Sequence, residues 1–268
     1  MHPSIDRHEN RCQARFRFQG ELVKALLSGP LPPKLNASSR PWVRGKITEF
    51  SRASRKRLLE YCAILDWSAQ KAVFVTTTYH HLEPTPEQAK RHLRAFLKRI
   101  QRLYGDHAVI WRLERQARGT IHFHLLLFGV PFMPLALLLK WWREITGEAT
   151  ITQLNIALID SARRARRYVS KYVAKPTGDE GSPCVLDTPS YLAADPCHGR
   201  FWGIEGRAKL VFAPLIEVWF PVTKAFYDMK RAARRVWGGV NRSGRCGFSL
   251  FVDDSEVWYD YFLLLALS

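Results

Sequence analysis

The residues AVIWRLERQARGTIHFHLLLF, at positions 108–128, have the clearest structural pattern in this chain. Apolar and polar residues alternate before and after the tripeptide at 117–119, which ends in glycine. Alternation of this kind is typical of half-buried strands, and a three-residue loop with glycine in its last, left-handed position is a favoured hairpin connection. The stretch therefore predicts a β-hairpin.

The loop length fixes how the two strands of this hairpin face each other. It sets Glu114 opposite His122 and Arg112 opposite His124, so that Glu114 and both histidines share one face of the sheet. We expect this face to point away from the core. The opposite face is predicted to pack under helices, and it receives Trp111, Leu113, Phe123, Leu125 and Leu127.

The composition predicts a globular, strongly basic protein. Of 268 residues, 47% are hydrophobic, and 41 Lys and Arg outnumber 24 Asp and Glu, for a formal net charge of +17. An excess of this size favours a polyanionic partner, most simply nucleic acid, because cationic side chains neutralise phosphates and release counterions. A soluble basic protein without such a partner is the alternative.

The remaining composition points to the cytoplasm and argues against a membrane protein. Five cysteines form no C-x-x-C pair, which fits free thiols better than a disulfide framework. The first residues lack the apolar run of a signal peptide, and the C-terminal YFLLLALS is too short to span a bilayer.

The elements around the hairpin predict an α+β fold. Residues 72–79 are β-branched and aromatic, residues 85–105 show helical periodicity behind a Thr cap, and a further helix, strand and helix follow. The order βαββαβ plus a helix is that of the ferredoxin-like, split βαβ plan on an antiparallel sheet. The three later elements are predicted at 134–147, 149–159 and 160–175.

The two ends of the chain have weaker patterns. Residues 1–45 contain several prolines and no long period, so an irregular extension is expected, followed by a basic amphipathic helix within 49–66. Beyond Pro176, a loop rich in Gly, Pro and Asp is expected to be mobile. The sequence then predicts aromatic strands within 200–212, a basic helix at 222–237 and a strand within 247–254.

Two imidazoles and a carboxylate on one face suggest a metal site. Glu114, His122 and His124 are the donor types that suit a divalent cation, Mg²⁺ or Mn²⁺, which must also hold a phosphate oxygen. For one histidine alone, an ordinary structural role would be the better interpretation. The pair, with Glu114 opposite, favours the metal.

A second cluster lies on the helix predicted at 160–175. Tyr168, Lys171, Tyr172 and Lys175 are spaced to lie on one helical face, while the apolar positions lie on the neighbouring face. A phenolic oxygen can attack a phosphodiester, and nearby ammonium groups favour the phenolate. The alternative is a nucleic-acid-binding helix whose tyrosines only stack or pack.

These motifs together resemble a known family. His122–Phe123–His124 resembles the His-hydrophobic-His signature of HUH endonucleases, specifically the replication-associated rolling-circle initiators of phages and plasmids with two active-site tyrosines. FVTTTY at 74–79 is similar to their first motif, and YVSKYVAK at 168–175 is similar to their active-site helix. Relatives often have proline after the first-motif tyrosine, where this chain has His80 and His81.

The resemblance implies a metal-dependent nickase and ligase that forms a 5′-phosphotyrosine bond and releases a 3′-OH that primes replication. Its partners would be single-stranded or hairpin origin DNA and the host polymerase and helicase. It assigns the nucleophile and supporting roles to Tyr168, Tyr172, Lys171 and Lys175, and the metal to Glu114, His122 and His124. The expected DNA contacts are Arg163, Arg164, Arg166, Arg167, Thr76, Thr78 and Tyr79.

On this basis the chain would divide into three parts: an N-terminal extension at 1–66, a nicking domain at 67–178, and a C-terminal region at 179–268 packed on the nicking domain. Two other functions stay open at this point. A single-tyrosine HUH transposase or relaxase would need one nucleophile. A non-catalytic nucleic-acid-binding protein would explain the charge and the aromatics but not the metal face.

Overall fold

The structure is a computed structural model. It describes residues 13–28, 47, 50–115, 120–151, 154–161, 164, 165, 168, 169, 199–221, 227, 231, 241–243, 247–252, 255 and 257–260. The chain forms two compact units. The central unit comprises residues 44–62 and 66–211, and the terminal unit comprises residues 1–43, 63–65 and 212–268.

The secondary structure of the described residues is mixed. The helices are α1 (Arg52–Ala63), α2 (Pro86–Tyr104) and α3 (Leu135–Thr146), with a short 3-10 helix at Arg207–Lys209. The strands are β1 (Gln13–Gln19), β2 (Leu22–Ser28), β3 (Ala72–Thr77), β4 (Ala108–Arg115), β5 (Ile121–Phe128), β6 (Asn155–Ile159), β7 (Trp202–Glu205), β8 (Leu215–Pro221), β9 (Asn241–Ser243) and β10 (Gly247–Phe251). The predicted α+β class is confirmed.

The central unit is built on a five-stranded sheet with the order β6-β3-β5-β4-β7. Every neighbouring pair in it is antiparallel. Since β3 and β4 both run antiparallel to β5, they run parallel to each other, with β5 inserted between them and α2 connecting them. The helix α3 leads from β5 to β6 at the edge of the sheet.

The predicted hairpin register is confirmed. Glu114 of β4 pairs with His122 of β5, and Arg112 pairs with His124. The loop residues 116–119 lie outside the described residues. Because side chains alternate along a strand, this register places the histidines and Phe123 on opposite faces. The predicted apolar set is buried throughout: Trp111, Leu113, Phe123, Leu125 and Leu127.

The helix predicted at 85–105 begins and ends as expected. The Thr85 hydroxyl accepts a hydrogen bond from the Gln88 backbone N–H, and the Gln88 side chain returns the contact, which makes a capping box. The helix ends at Gly105, whose φ of 80° suits glycine. One face of α2 is buried, including Phe96, and the helix packs against β5 and α3.

Two predicted elements of the central unit differ in extent. The strand expected at 149–159 is limited to Asn155–Ile159. Within the helix expected at 160–175, the structure describes Arg164, Ala165, Tyr168 and Val169 as helical. The residues from 170 onward in that segment lie outside the described residues, as does most of the loop expected after Pro176.

The terminal unit corrects the prediction that residues 1–45 are irregular. Its five-stranded sheet has the order β8-β1-β2-β10-β9, so segments from both ends of the chain share one sheet. In β1, Phe16 and Phe18 point into the core while Arg15 and Arg17 alternate with them. The alternation within β1 is short, and the proline-rich run after β2 favours an irregular segment, so the sequence pattern did not reveal the strand.

This sheet also changes the predicted division of the chain. Boundaries after residues 66 and 178 would separate β1 from β8, although the two strands pair along their length. The strand predicted within 247–254 is confirmed as β10. Of the basic helix predicted at 222–237, only Tyr227 and Arg231 are described, and both are helical.

Among the helices that the structure describes, none is both long and apolar enough to cross a membrane.

Candidate functional site

His124 is held on both sides by side chains from neighbouring strands. Its Nε2 lies 2.6 Å from Oε2 of Glu114 on β4. Its Nδ1 lies 3.1 Å from Oγ1 of Thr76, which is its register partner on β3. The imidazole is therefore fixed in orientation before any ligand arrives, because each ring nitrogen has a partner.

His122 is held by a different threonine. Its Nε2 lies 2.8 Å from Oγ1 of Thr78, and this hydroxyl also donates to the Tyr79 carbonyl at 3.1 Å. Thr76 and Thr78, which the resemblance assigns to DNA contact, thus bond to the two histidines. The hydroxyl groups of these threonines are placed to orient the two imidazole rings.

The histidine face is more covered than the sequence predicted. His122 and His124 are only 8% and 6% exposed. The aromatic ring of Phe74, which lies on the same face of β3, stacks on His124 with a centroid distance of 5.9 Å and an interplanar angle of 11°. The sheet consequently has apolar cover on both faces, although the histidines are indeed separated from the Phe123 face.

The three predicted metal donors lie on one face without forming a closed cluster. Among the residues that the structure describes, no group of three or more His, Cys, Asp and Glu side chains is placed to hold a metal ion. Glu114 and His124 are already in contact, whereas the Nε2 of His122 is engaged by Thr78. As a donor set, two imidazoles and one carboxylate suit Mg²⁺, Mn²⁺ or a related divalent cation.

Tyr168 lies on the histidine face. Its ring packs against Phe74 with a centroid distance of 4.8 Å, and Phe74 in turn stacks on His124. The phenol ring of Tyr168 and the imidazole of His124 therefore share one apolar contact, the ring of Phe74. Tyr172, Lys171 and Lys175 lie outside the described residues.

The predicted arginine contacts are described at one position. Arg164 is exposed, and its Nη1 lies 3.2 Å from Oδ2 of Asp160, one helical turn earlier. An exposed ion pair of this kind contributes little to stability and leaves the guanidinium near solvent. Arg163, Arg166 and Arg167 lie outside the described residues.

The predicted DNA contact of Tyr79 is corrected by the structure. Tyr79 is fully buried, and its hydroxyl oxygen lies 3.0 Å from Nδ1 of His92 on α2. Burial, and then the charge of Glu148, raise the pKa of the Tyr79 phenol far above its usual range. A side chain in this position packs the sheet against α2 and α3, since its ring also contacts Trp142.

Glu148 is a residue that sequence reasoning missed. Its carboxylate accepts hydrogen bonds from the backbone N–H groups of His80, at 3.0 Å, of His81, at 2.6 Å, and of Leu82. Burial alone would raise the pKa of Glu148, but these N–H donors together hold it below its usual value. No local pattern at Gly147–Glu148 could have revealed a contact with a loop so far away in sequence.

The consequence of the Glu148 contact is a fixed loop after β3. The imidazoles of His80 and His81 are exposed on it, with a centroid distance of 4.5 Å. They stand where relatives of the resembled family often have proline.

The central unit thus has an α+β fold on an antiparallel sheet, and one face of this sheet carries Glu114, His122, His124 and Tyr168. Residues 72–177 match a family model of replication-associated proteins, the one named for ORF2-type members. The match covers less than half of the 268 residues, and it includes β3, the hairpin and the segment of Tyr168. Comparison with curated proteins and with solved structures finds no match.

Proposed function

We propose that this protein is a replication initiator of the HUH endonuclease type, which nicks and rejoins single-stranded DNA at an origin. One observation carries the proposal: Tyr168 and His124 both pack against the ring of Phe74, on the face that Glu114 shares. The match of residues 72–177 to replication-associated proteins supports a role in replication initiation. The strand order around β5 supports the ferredoxin-like plan.

Glu114, His122 and His124 are the residues that would hold Mg²⁺ or Mn²⁺. When bound, the ion would supply positive charge that polarises a phosphodiester. The protein's own part is to hold the donors in place. Thr76 fixes the ring of His124, and Glu114 adds the negative charge that a divalent cation requires.

The tyrosines supply the nucleophile in this proposal. The phenolic oxygen of Tyr168 or Tyr172 bonds to phosphorus, and the bond from phosphorus to the 3′-oxygen breaks. The phenolic proton passes to solvent, and the departing 3′-oxygen gains a proton to become a 3′-OH. Lys171 and Lys175 favour the phenolate and the developing charge on phosphate. The 5′ end stays on the tyrosine, so the same bond exchange in reverse rejoins DNA.

The basic side chains would hold the DNA. Four arginines precede the first tyrosine: Arg163, Arg164, Arg166 and Arg167. The whole chain has a formal net charge of +17, which favours binding to phosphates. The DNA would be single-stranded or a hairpin, since the flat sheet must reach a phosphodiester of an unpaired strand. The free 3′-OH would then serve the host polymerase and helicase.

The proposal is tested by trapping DNA on the protein. Protein is incubated with a single-stranded library and Mn²⁺, then denatured and extracted with phenol, and the DNA that stays attached is sequenced. We expect attached DNA with one recurrent 5′ end, its loss in EDTA, and its loss in Glu114→Gln. Cleavage without attachment would contradict the tyrosine nucleophile, and no cleavage of any library member would contradict nicking.

A further inference from the structure

A cavity of about 460 Å³ lies in the central unit between α1 and the segment that contains β7. The cavity is not lined by Glu114, His122 or His124, nor by any residue of the tyrosine helix. The helix α1 contributes Ser54, Arg57 and Tyr61, and the other wall is residues 200–204 and Arg207. A volume of this order is in the range of small-ligand pockets.

The charge of the cavity wall selects an anion. Arg57, Arg200 and Arg207 all line it and all are exposed. The described lining residues include no Asp or Glu. A guanidinium is always charged and binds phosphate through two parallel hydrogen bonds, so three of them around one cavity fit a ligand with phosphate groups.

The same wall has aromatic surface for a base. Trp202 and Tyr61 both line the cavity. The indole Nε1 of Trp202 donates to Oγ of Ser54 at 2.9 Å, which fixes one edge of the ring against α1. The guanidinium carbon of Arg207 lies 5.8 Å from the Tyr61 ring centroid. Aromatic rings beside arginines form the usual platform on which nucleic-acid bases stack.

The position of the cavity relates it to the candidate active site. Trp202 pairs with Arg112 on β4, and Glu114 lies two residues further along the same strand and on the same face. From strand geometry, the Cα atoms of Trp202 and Glu114 are about 8 Å apart. This is about the length of one or two nucleotides, so a strand with its phosphodiester at Glu114 can place a neighbouring nucleotide in the cavity.

We propose that this cavity binds one unpaired nucleotide of single-stranded DNA, with its base against Trp202 and Tyr61 and its flanking phosphates at the three arginines. The identity of the strand as substrate rests on the proposed function, whereas the binding chemistry does not. Duplex DNA is excluded as the ligand, because its bases are stacked and paired inside the helix. The cavity would thereby select the substrate strand next to the nick.

The test compares two double variants that remove the same charge. Arg57→Gln with Arg200→Gln changes the cavity, and Arg94→Gln with Arg102→Gln changes two exposed arginines on α2. Binding is followed by fluorescence anisotropy in EDTA, so that no cleavage occurs. The probes are a labelled oligothymidylate of about 20 nucleotides, an abasic strand of the same length and a duplex of the same length.

We expect the cavity variant to bind the oligothymidylate roughly tenfold more weakly. Its log K should also fall less steeply with log salt, by about 1.4 in slope, because two phosphate contacts at about 0.7 each are lost on single strands. Its affinity for the duplex should change no more than in the α2 variant, and the unmodified protein should bind the abasic strand more weakly than the oligothymidylate because the base contact is missing. A third variant, Arg57→Lys with Arg200→Lys, should restore the salt slope. Thermal melts should show the three variants folded.

Other results would overturn the proposal. If the cavity variant and the α2 variant lose equal affinity, or if the cavity variant loses duplex and single strand alike, the arginines are only part of a general basic surface. Failure of the proposed function gives a different result. In that case the cavity dependence of single-strand binding persists, but no protein ever carries attached DNA with Mn²⁺.

Discussion

The hydroxyl oxygen of Thr76 lies 3.1 Å from Nδ1 of His124, on the same face of the sheet as Glu114. The next residue, Thr77, faces the other way and is fully buried, and its Oγ1 has no hydrogen-bond partner among the described residues. Two adjacent threonines on one strand therefore have opposite roles. One orients an imidazole, and the other only fills space.

This pair gives a matched test. Thr76→Val removes the hydroxyl that fixes His124, and we expect Mn²⁺ affinity and nicking to fall roughly 10- to 100-fold, as is usual for a residue that positions a metal ligand. Thr77→Val keeps the shape and removes an unbonded buried hydroxyl, so its activity should be unchanged and its stability equal or higher. Mn²⁺ affinity is measured by electron paramagnetic resonance. Equal loss in both variants would show that the Thr76 contact has no positioning role.

The two faces of β5 should respond differently to truncation. Phe123→Ala should destabilise the protein by about 3–5 kcal/mol, because it leaves a cavity in the core. His122→Ala, His124→Ala and Glu114→Ala should lose nicking but remain folded. Urea unfolding measures the free energy of unfolding of each variant. If the histidine variants unfold while Phe123→Ala keeps its stability, the assigned faces are reversed.

The Glu148 carboxylate predicts a specific dependence on pH. Folding lowers its pKa, so its contribution to the free energy of unfolding is present above the pKa of the unfolded chain and is lost as the pH falls through the folded value. Near neutral pH, Glu148→Gln should destabilise by about 1.5–3 kcal/mol, since a charged acceptor of backbone N–H bonds is removed. The difference from the unmodified protein should shrink in acid.

Glu83→Gln is the control for this measurement, because Glu83 is exposed in the same loop. It should change the free energy of unfolding little at either pH. A Glu148→Gln deficit that is as large in acid as near neutral pH would show that shape, not charge, holds the loop.

Tyr79→Phe tests the corrected role of Tyr79. Losing the hydrogen bond to Nδ1 of His92 should cost about 1 kcal/mol of stability. Affinity for single-stranded DNA should stay unchanged, because the ring is fully buried. Thermal melts and anisotropy titrations check the two parts. A variant with full stability and weak DNA binding would restore Tyr79 to the DNA-contacting surface.

The elements that local patterns determine were predictable. The hairpin register followed from a loop length, and α2 followed from Thr85, its periodicity and Gly105, because these signals act within a few residues. The cover over His124 was not predictable, since Phe74 and Tyr168 reach it from distant segments. Glu148 was missed for the same reason, because its partners lie far away in sequence and nothing local marks it. The pairing of β1 with β8 was missed because β8 is also distant and the alternation within β1 is short.

We expect a tyrosine of the 160–175 segment to carry the DNA. If the predicted helix continues through residue 175, the spacing of Tyr168 and Tyr172 places both phenols on one helical face, about 6 Å apart along its axis. Tyr168→Phe and Tyr172→Phe should each keep part of the cleavage of a short origin oligonucleotide, to unequal extents. The double variant should still bind the oligonucleotide and leave it intact.

The most direct measurement is mass spectrometry of the peptide that stays linked to DNA after reaction with Mn²⁺ and proteolysis. We expect the 5′-phosphate of the DNA on Tyr168 or Tyr172 in the unmodified protein, and on the remaining tyrosine in each single variant. A DNA link on another residue, or a link that survives in the double variant, would contradict this expectation.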